Sequence, residues 1–296
     1  MQLLANSNQL LDTKYSELKI RFDAEQGILW TFVHQDNVPC VTNELLQNLQ
    51  HHHEEIKRCD GQLTVSDKTF PIKYSVLASL TPGVFNLGGQ LALFRQLIRN
   101  GDRAALAQYG KKCIDVIFPR IRNFNVSTCT ITLIQGDALG GGLEAALASD
   151  IVIAERQSQM GFPEILFNLF PGMGAYSLIS RKIGTQLAEK MMLSGKIYSA
   201  EDLHEMGLVD VLAEPGEGEC AVYEYIKKHE RRANGFHAIQ RARQRYNPVT
   251  YSELMDITEI WVDAALKLGE KDLKVMDRLV RSQEKLFDQP QEVIAA

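Results

Sequence analysis

The sequence predicts an α/β fold with parallel or near-parallel crossovers, and three observations carry that reading. Strand-like stretches alternate with stretches of helical period from about residue 18 to 215. Two strands, at 73–80 and 126–134, run into glycine-rich turns that open helices, which suits strands laid side by side with crossover connections. From about residue 216 onward the pattern is helical throughout. Residues 1–215 are therefore expected to form the core with its pocket, and residues 216–296 a C-terminal helical region serving as a cap or an oligomer contact.

The elements follow in order. Residues 1 to about 15 are polar and expected to be loose. Leu18, Ile20 and Phe22 alternate with charged neighbours, and the run 27–33 follows an acidic turn, which predicts a β-hairpin. Asn43 is a fair N-cap, and Leu45, Leu46, Leu49 and Ile56 share one face, so a helix is expected over 43–58. That helix carries His51, His52 and His53. Successive helical residues fan out by about 100°, so three neighbours do not converge on one ion, and no metal site is expected. Residues 59–72 are turn-rich. After the strand at 73–80 and the glycine-rich segment 81–90, Leu91, Leu93, Phe94, Leu97 and Ile98 set a helical pattern.

Asp102 caps a second helix to about Arg122, with Leu106, Tyr109, Cys113, Val116 and Ile117 inward and Pro119 kinking or breaking it. The β-branched strand 126–134 leads through Gly136 to a helix from Gly140 to about Ala148, and a strand is expected at 150–154. Gly172-Met173-Gly174 opens a helix over 175–183, and the next ends at Gly195. Ser199 and Asp202 have capping-box spacing for a helix that ends before Gly207, followed by a strand at 208–212. Helices are expected at about 217–233, 235–246, 251–268 and 271–287, with Leu254, Ile257, Trp261, Leu266, Val275, Leu279 and Leu286 forming the cap or contact. The basic runs 227–232 and 241–245 read as solvated helix faces, or else as a docking face for an acidic carrier protein or a phosphate-bearing tail.

Composition sets the outer bounds. A chain of 296 residues, 45% hydrophobic and 23% charged, can bury a large core without a disulfide or metal staple. The net charge of −5 argues against nucleic acid as the main partner. Cys40, Cys59, Cys113, Cys129 and Cys220 are scattered without a CxxC pair, which favours reduced thiols and a cytoplasmic location. Residues 1–14 lack the pattern of a signal peptide, and no apolar run approaches the roughly 20 residues that span a bilayer, so no membrane insertion is expected.

Two carboxylates stand out because their neighbours are apolar. Glu144 follows Gly140-Gly141-Gly142, and Glu164 lies between Phe162-Pro163 and Ile165-Leu166-Phe167. Apolar surroundings raise a carboxyl pKa towards neutrality, where proton transfer is efficient. The glycines before Glu144 would leave backbone N–H groups free at a helix N-terminus, open to a ligand oxygen. A tight turn with a core-edge glutamate is the plainer alternative, and chemistry alone leaves both open.

The run from Gly136 to Glu144, the run from Met160 to Leu166, Phe170-Pro171-Gly172-Met173-Gly174, and the segments 197–202 and 206–209 resemble, in order, the signature of the crotonase (enoyl-CoA hydratase) superfamily. The resemblance covers roughly residues 18–215. It implies a crotonase-type core of ββα repeats, a spiral of sheets with helices. Within that superfamily, Val84-Phe85-Asn86-Leu87-Gly88-Gly89 followed by Leu91-Ala92-Leu93-Phe94 resembles the diffusible signal factor synthases, often called RpfF proteins. The helices bearing Trp261 and Leu279 fit the same subgroup.

The resemblance implies roles. Gly89 and Gly141 would give backbone N–H groups to a thioester carbonyl, and Glu144 and Glu164 would be the acid/base pair. Leu139, Gly140, Met173, Trp261 and Leu279 would contact the acyl substrate, although ordinary core packing also explains the apolar ones. No cofactor is implied. The substrate would be a medium-chain 3-hydroxyacyl thioester of acyl carrier protein, dehydrated to the cis-2-enoyl thioester and hydrolysed to the free acid. A sensor protein and a homotrimer or hexamer are the implied partners. Many CoA-binding relatives have Ala-Gly-Ala-Asp where this chain has Leu87-Gly88-Gly89-Gln90, which departs from the standard CoA pattern. An enoyl-CoA hydratase and a non-catalytic, sensor-binding protein of the same fold are the alternatives.

Overall fold

The computed structural model describes residues 9–288. Residues 1–8 and the side chain of Leu286, both read above, lie outside the described residues. A short helix α1 (Gln9–Asp12) precedes the antiparallel hairpin of β1 (Leu18–Asp23) and β2 (Ile28–Val33). Helix α2 (Asn43–Arg58) has the expected bounds, but its cap is Thr42, whose Oγ1 accepts from the Leu45 N–H at 2.9 Å. Extended backbone at Thr42 suits the cap, and Asn43 is already helical. The segment expected as turns holds a second hairpin, β3 (Gln62–Val65) and β4 (Lys68–Pro71). Its two-residue turn places Ser66 and Asp67 at φ 50° and 63°, the geometry that matches strand twist.

Three strand–strand units then build the centre. The first is β5 (Tyr74–Ser79) and β6 (Gly83–Asn86), followed by α3 (Leu91–Arg99) and α4 (Arg103–Ile121). The second is β7 (Cys129–Ile134) and β8 (Gly136–Leu139), followed by α5 (Gly141–Leu147). The third is β9 (Ile151–Glu155) and β10 (Gln159–Gly161), followed by a 3₁₀ turn (Pro163–Phe167). Next come α6 (Ala175–Ile183), α7 (Thr185–Ser194), β11 (Ile197–Ser199), α8 (Ala200–Glu205), β12 (Val211–Ala213), α9 (Gly218–Glu230), α10 (Ala233–Tyr246), α11 (Tyr251–Ala265) and α12 (Glu270–Asp288).

The first strand of each unit enters one sheet and the second strand enters another. The six-stranded sheet has the order β1-β2-β5-β7-β9-β12, with every pair parallel except β1–β2. The four-stranded sheet has the order β11-β10-β8-β6, with β11 antiparallel to β10. Strands β5 and β7 are buried along their whole length, as parallel strands covered on both faces must be. β8 is a correction to the sequence reading, which took Gly136 as the end of a strand running straight into a helix. The chain instead starts a second strand at Gly136 before it reaches Gly141. Pro119 does not break α4, which runs two residues past it, although proline gives the Asp115 carbonyl no i+4 donor. The late strand falls at Val211–Ala213, beside β9, and not at 208–212. Asp102 and the Ser199/Asp202 capping box cap their helices as expected.

The largest core cluster joins Leu46 of α2, Ile114 and Ile117 of α4, Leu143 of α5 and Met160 of β10 to Leu254, Trp261 and Val262 of α11. Helix α12 is tied to α3 by the ion pairs Arg95–Asp277 and Arg99–Glu270. Among the described residues, no helix is long and apolar enough to cross a membrane.

Candidate active site

The two sheets converge where β6 ends, α5 begins and the 3₁₀ turn follows β10. The crossing from β8 into α5 needs a backbone that only glycine takes easily: Gly140 has φ 52° and ψ −123°. Its N–H donates to the Gly161 carbonyl at 2.9 Å, which ties the start of α5 to the strand just before Glu164. The first turn of α5 carries Glu144, whose side chain points inward and is 2% exposed.

The two carboxyls are held differently. Glu144 Oε1 accepts from the backbone N–H groups of Met173 at 2.8 Å and Ala175 at 3.0 Å. Those donors belong to the loop that opens α6, so Gly172-Met173-Gly174 cradles the Glu144 carboxylate. Burial raises its pKa to about 7, against the pull of those two amides. Glu164 Oε2 is buried without a hydrogen-bond partner among the described residues. Burial, with the nearby Glu144 charge, raises its pKa to about 8. Burial thus holds both carboxyls towards neutrality, where one can take a proton and the other give one.

Two backbone amides lie close by. A β-carbon on Gly141 would stand 3.5 Å from the Gly89 nitrogen. Among the described residues neither the Gly89 N–H nor the Gly141 N–H donates to a protein acceptor. Gly141 is the first residue of α5, so its amide is one of the unpaired donors at a helix start, where the partial positive charge of the helix favours an anionic oxygen.

Gly89, Gly141, Glu144, Glu164, Met173 and Trp261 line one apolar cavity. Much of the rest of its wall was not found from the sequence, including Leu45, Leu46 and Leu49 of α2, Tyr109 and Cys113 of α4, and Phe167 and Leu169 at and beyond the end of the 3₁₀ turn. Helical spacing placed the α2 and α4 residues inward, but a pattern of that kind does not separate a cavity wall from solid core. Three expected substrate contacts do not line the cavity. Leu139 ends β8, an inner strand of the four-stranded sheet, in register with Gly161. Gly140 instead packs against the Glu164 carboxyl. Leu279 lies on α12, partly buried against the outside of the core.

The histidine run does not gather. His52 Nε2 meets Thr31 Oγ1 at 2.8 Å, His53 packs on Phe124, and His51 meets the Tyr15 hydroxyl. Among the described residues no group of three or more His, Cys, Asp or Glu side chains could hold a metal ion. Of the basic runs, Arg243 reaches buried Asp150 at 2.7 Å and so fastens α10 to the core.

Two buried carboxyl groups and two free backbone amides thus meet at one apolar cavity between the paired sheets. The family model described as Enoyl-CoA hydratase/isomerase matches residues 62–238, and the chain belongs to that family. Among curated relatives, the peroxisomal fatty acid beta-oxidation multifunctional protein of Arabidopsis thaliana is 30% identical over 135 residues, 46% of this chain and 18% of that protein. The chain thus spans only a minor part of the length of the curated relatives it matches. Among solved structures, human mitochondrial delta3-delta2-enoyl-CoA isomerase superposes with a TM-score of 0.73 at 19% identity, covering 92% of this chain and 99% of that one. Pseudomonas aeruginosa DspI superposes at 0.62 with 24% identity, covering 94% and 98%. These two likenesses establish the fold.

Proposed function

We propose that this chain is a diffusible signal factor synthase. In this reading it dehydrates a medium-chain 3-hydroxyacyl thioester of acyl carrier protein and then hydrolyses the cis-2-enoyl thioester to the free acid. The observation that carries the catalytic half is the convergence of Glu144, Glu164 and the Gly89 and Gly141 amides on one apolar cavity. The subgroup rests on the resemblance of 84–94 to such synthases.

The thioester carbonyl accepts from the Gly89 and Gly141 amides, which stabilise the enolate-like charge formed when a glutamate takes the C2 proton. Removing one such fixed donor costs about 3–4 kcal/mol in characterised cases. The other glutamate protonates the C3 hydroxyl, which leaves as water. With both carboxyls raised towards neutrality, the pair can share one proton, so one member accepts while the other donates. In the second step a glutamate takes a proton from water, the oxygen attacks the same carbonyl, and the carrier thiol leaves. The acyl chain lies among Met173, Trp261, Leu45 and Leu49, an apolar wall suited to an alkyl tail. The C-terminal helical region serves as a cap or an oligomer contact, the assembly is a homotrimer or hexamer in the cytoplasm, and a sensor protein binds its surface.

A second reading has its own support: the family match and the fatty acid oxidation relatives favour an enoyl-CoA hydratase using the same four groups. Incubating the protein with a 3-hydroxydecanoyl carrier-protein thioester and, separately, with trans-2-decenoyl-CoA distinguishes them by mass spectrometry. Free cis-2-enoic acid from the first supports the synthase. Hydration of the second alone supports the hydratase. No turnover of either leaves a binding protein.

A further inference from the structure

The direction of the Gly89 amide is set by residues that never touch the carboxyls. The Val41 N–H donates to the Gly88 carbonyl at 2.8 Å, and Val41 pairs with Gly89 in an isolated parallel bridge. In a trans peptide the carbonyl and the following N–H point opposite ways. A Gly88 oxygen turned towards Val41 therefore turns the Gly89 N–H away from Val41. The Val41 carbonyl is gripped in turn by Tyr109, whose hydroxyl donates to it at 2.5 Å. The Gln90 backbone N–H approaches the same phenol oxygen, so Tyr109 meets both Val41 and the residue that follows Gly89. Tyr109 is 3% exposed. Its ring meets Phe94 edge-on at 4.9 Å, and Phe94 fills the space that a β-carbon on Gly89 would need.

We infer that Tyr109 is a positioning residue that, through Val41 and the Gly88 carbonyl, aims the Gly89 N–H at the substrate carbonyl. The inference rests on the thioester reading for its chemistry, but its geometric part stands apart from it. Phenylalanine at 109 keeps the ring packing and removes the hydroxyl alone, so the half-buried Val41 carbonyl loses a donor. Val41 then holds Gly88 from a carbonyl that has lost its anchor, the Gly88–Gly89 peptide tilts, and a small misalignment of an oxyanion donor is costly.

The test is the Tyr109→Phe variant, read by its crystal structure and its kinetics on whichever thioester the wild type turns over. The expected structure has the Gly88–Gly89 peptide rotated, with its N–H no longer aimed into the cavity. The expected kinetics are a kcat lowered by about 10–100-fold with KM nearly unchanged, since the donor acts on charge formed in the transition state. A peptide that keeps its direction overturns the inference, and so does a rotated peptide with unchanged kcat. If the wild type turns over no thioester, the reaction reading fails, and the peptide's orientation in the variant alone decides this inference. Should Tyr109→Phe not fold, replacing residue 41 by the hydroxy-acid analogue of valine removes the N–H that grips Gly88 and is expected to give the same result. An unchanged peptide there is equally fatal.

Discussion

A carboxylate oxygen of Glu164 occupies the place where a β-carbon on Gly140 would stand. The glycine before α5 therefore both permits the turn and makes room for the acid. Gly140→Ala would push the Glu164 carboxyl aside and force alanine to a φ of 52°. Holding alanine in that sparsely populated backbone region costs about 1–3 kcal/mol, too little to unfold a domain of this size. The expected outcome is a folded protein whose kcat falls by roughly 100-fold, measured by steady-state kinetics with circular dichroism as the control.

Activity should follow a bell-shaped pH profile. The productive pair carries one proton, so the rate falls on the acid side, where both carboxyls are protonated, and on the alkaline side, where both are ionised, with both limbs shifted up towards neutrality by the burial of the pair. In Glu144→Gln or Glu164→Gln the bell collapses, and activity drops by at least about 100-fold, the lower range for a general acid or base. A flat profile in the wild type would remove the pair from the chemistry.

The same raised pKa values make a stability prediction with a definite sign. Glu164 binds its proton more tightly folded than unfolded, so stability is lost as pH rises from about 4.5 through about 8. Glu164→Gln escapes that loss. Its melting temperature relative to wild type should rise across that window and level off above it, by differential scanning calorimetry. Buried His52 works the other way. Its pKa is lowered to about 3 by burial, with Arg120 and His51 adding to the effect. Stability from His52 is therefore present above about pH 6.5 and is lost as pH falls towards 3.

Trp261 braces the loop that holds Glu144. Its side chain packs into the space left by Gly172, and its ring meets Phe94 edge-on at 5.2 Å. Trp261→Ala opens the cavity wall and slackens the Met173 and Ala175 donors together. The expected cost is about 3–5 kcal/mol of stability, with a shift in preferred acyl length seen when a series of thioesters is compared. An unchanged chain-length profile would place Trp261 outside the substrate wall.

The sequence already held the strongest local signals. The β-branched strands, the α2 bounds, the Asp102 cap and the Ser199 capping box were legible because each depends on neighbouring residues alone. The four-stranded sheet was not: β8, β10 and β11 have three or four residues each, too short for alternation to register, and β8 is bounded by glycines that read as a turn. The Ser66-Asp67 turn hid the β3–β4 hairpin for a similar reason. Glu144 and Glu164 were legible from their apolar neighbours. The Met173 and Ala175 donors were not, since a backbone amide 29 or 31 residues away leaves no mark in composition. Leu139 and Leu279 were placed in the pocket by resemblance, and the paths of β8 and α12 carry them elsewhere.

The most direct measurement is a crystal structure with a non-hydrolysable 3-hydroxyacyl pantetheine amide bound. The expected complex has the acyl carbonyl oxygen within about 2.7–3.1 Å of both the Gly89 and Gly141 nitrogens, with C2 and the C3 hydroxyl each facing a carboxyl of the Glu144–Glu164 pair. A carbonyl bound away from those amides, or a ligand whose C2 and C3 meet neither glutamate, would contradict the account.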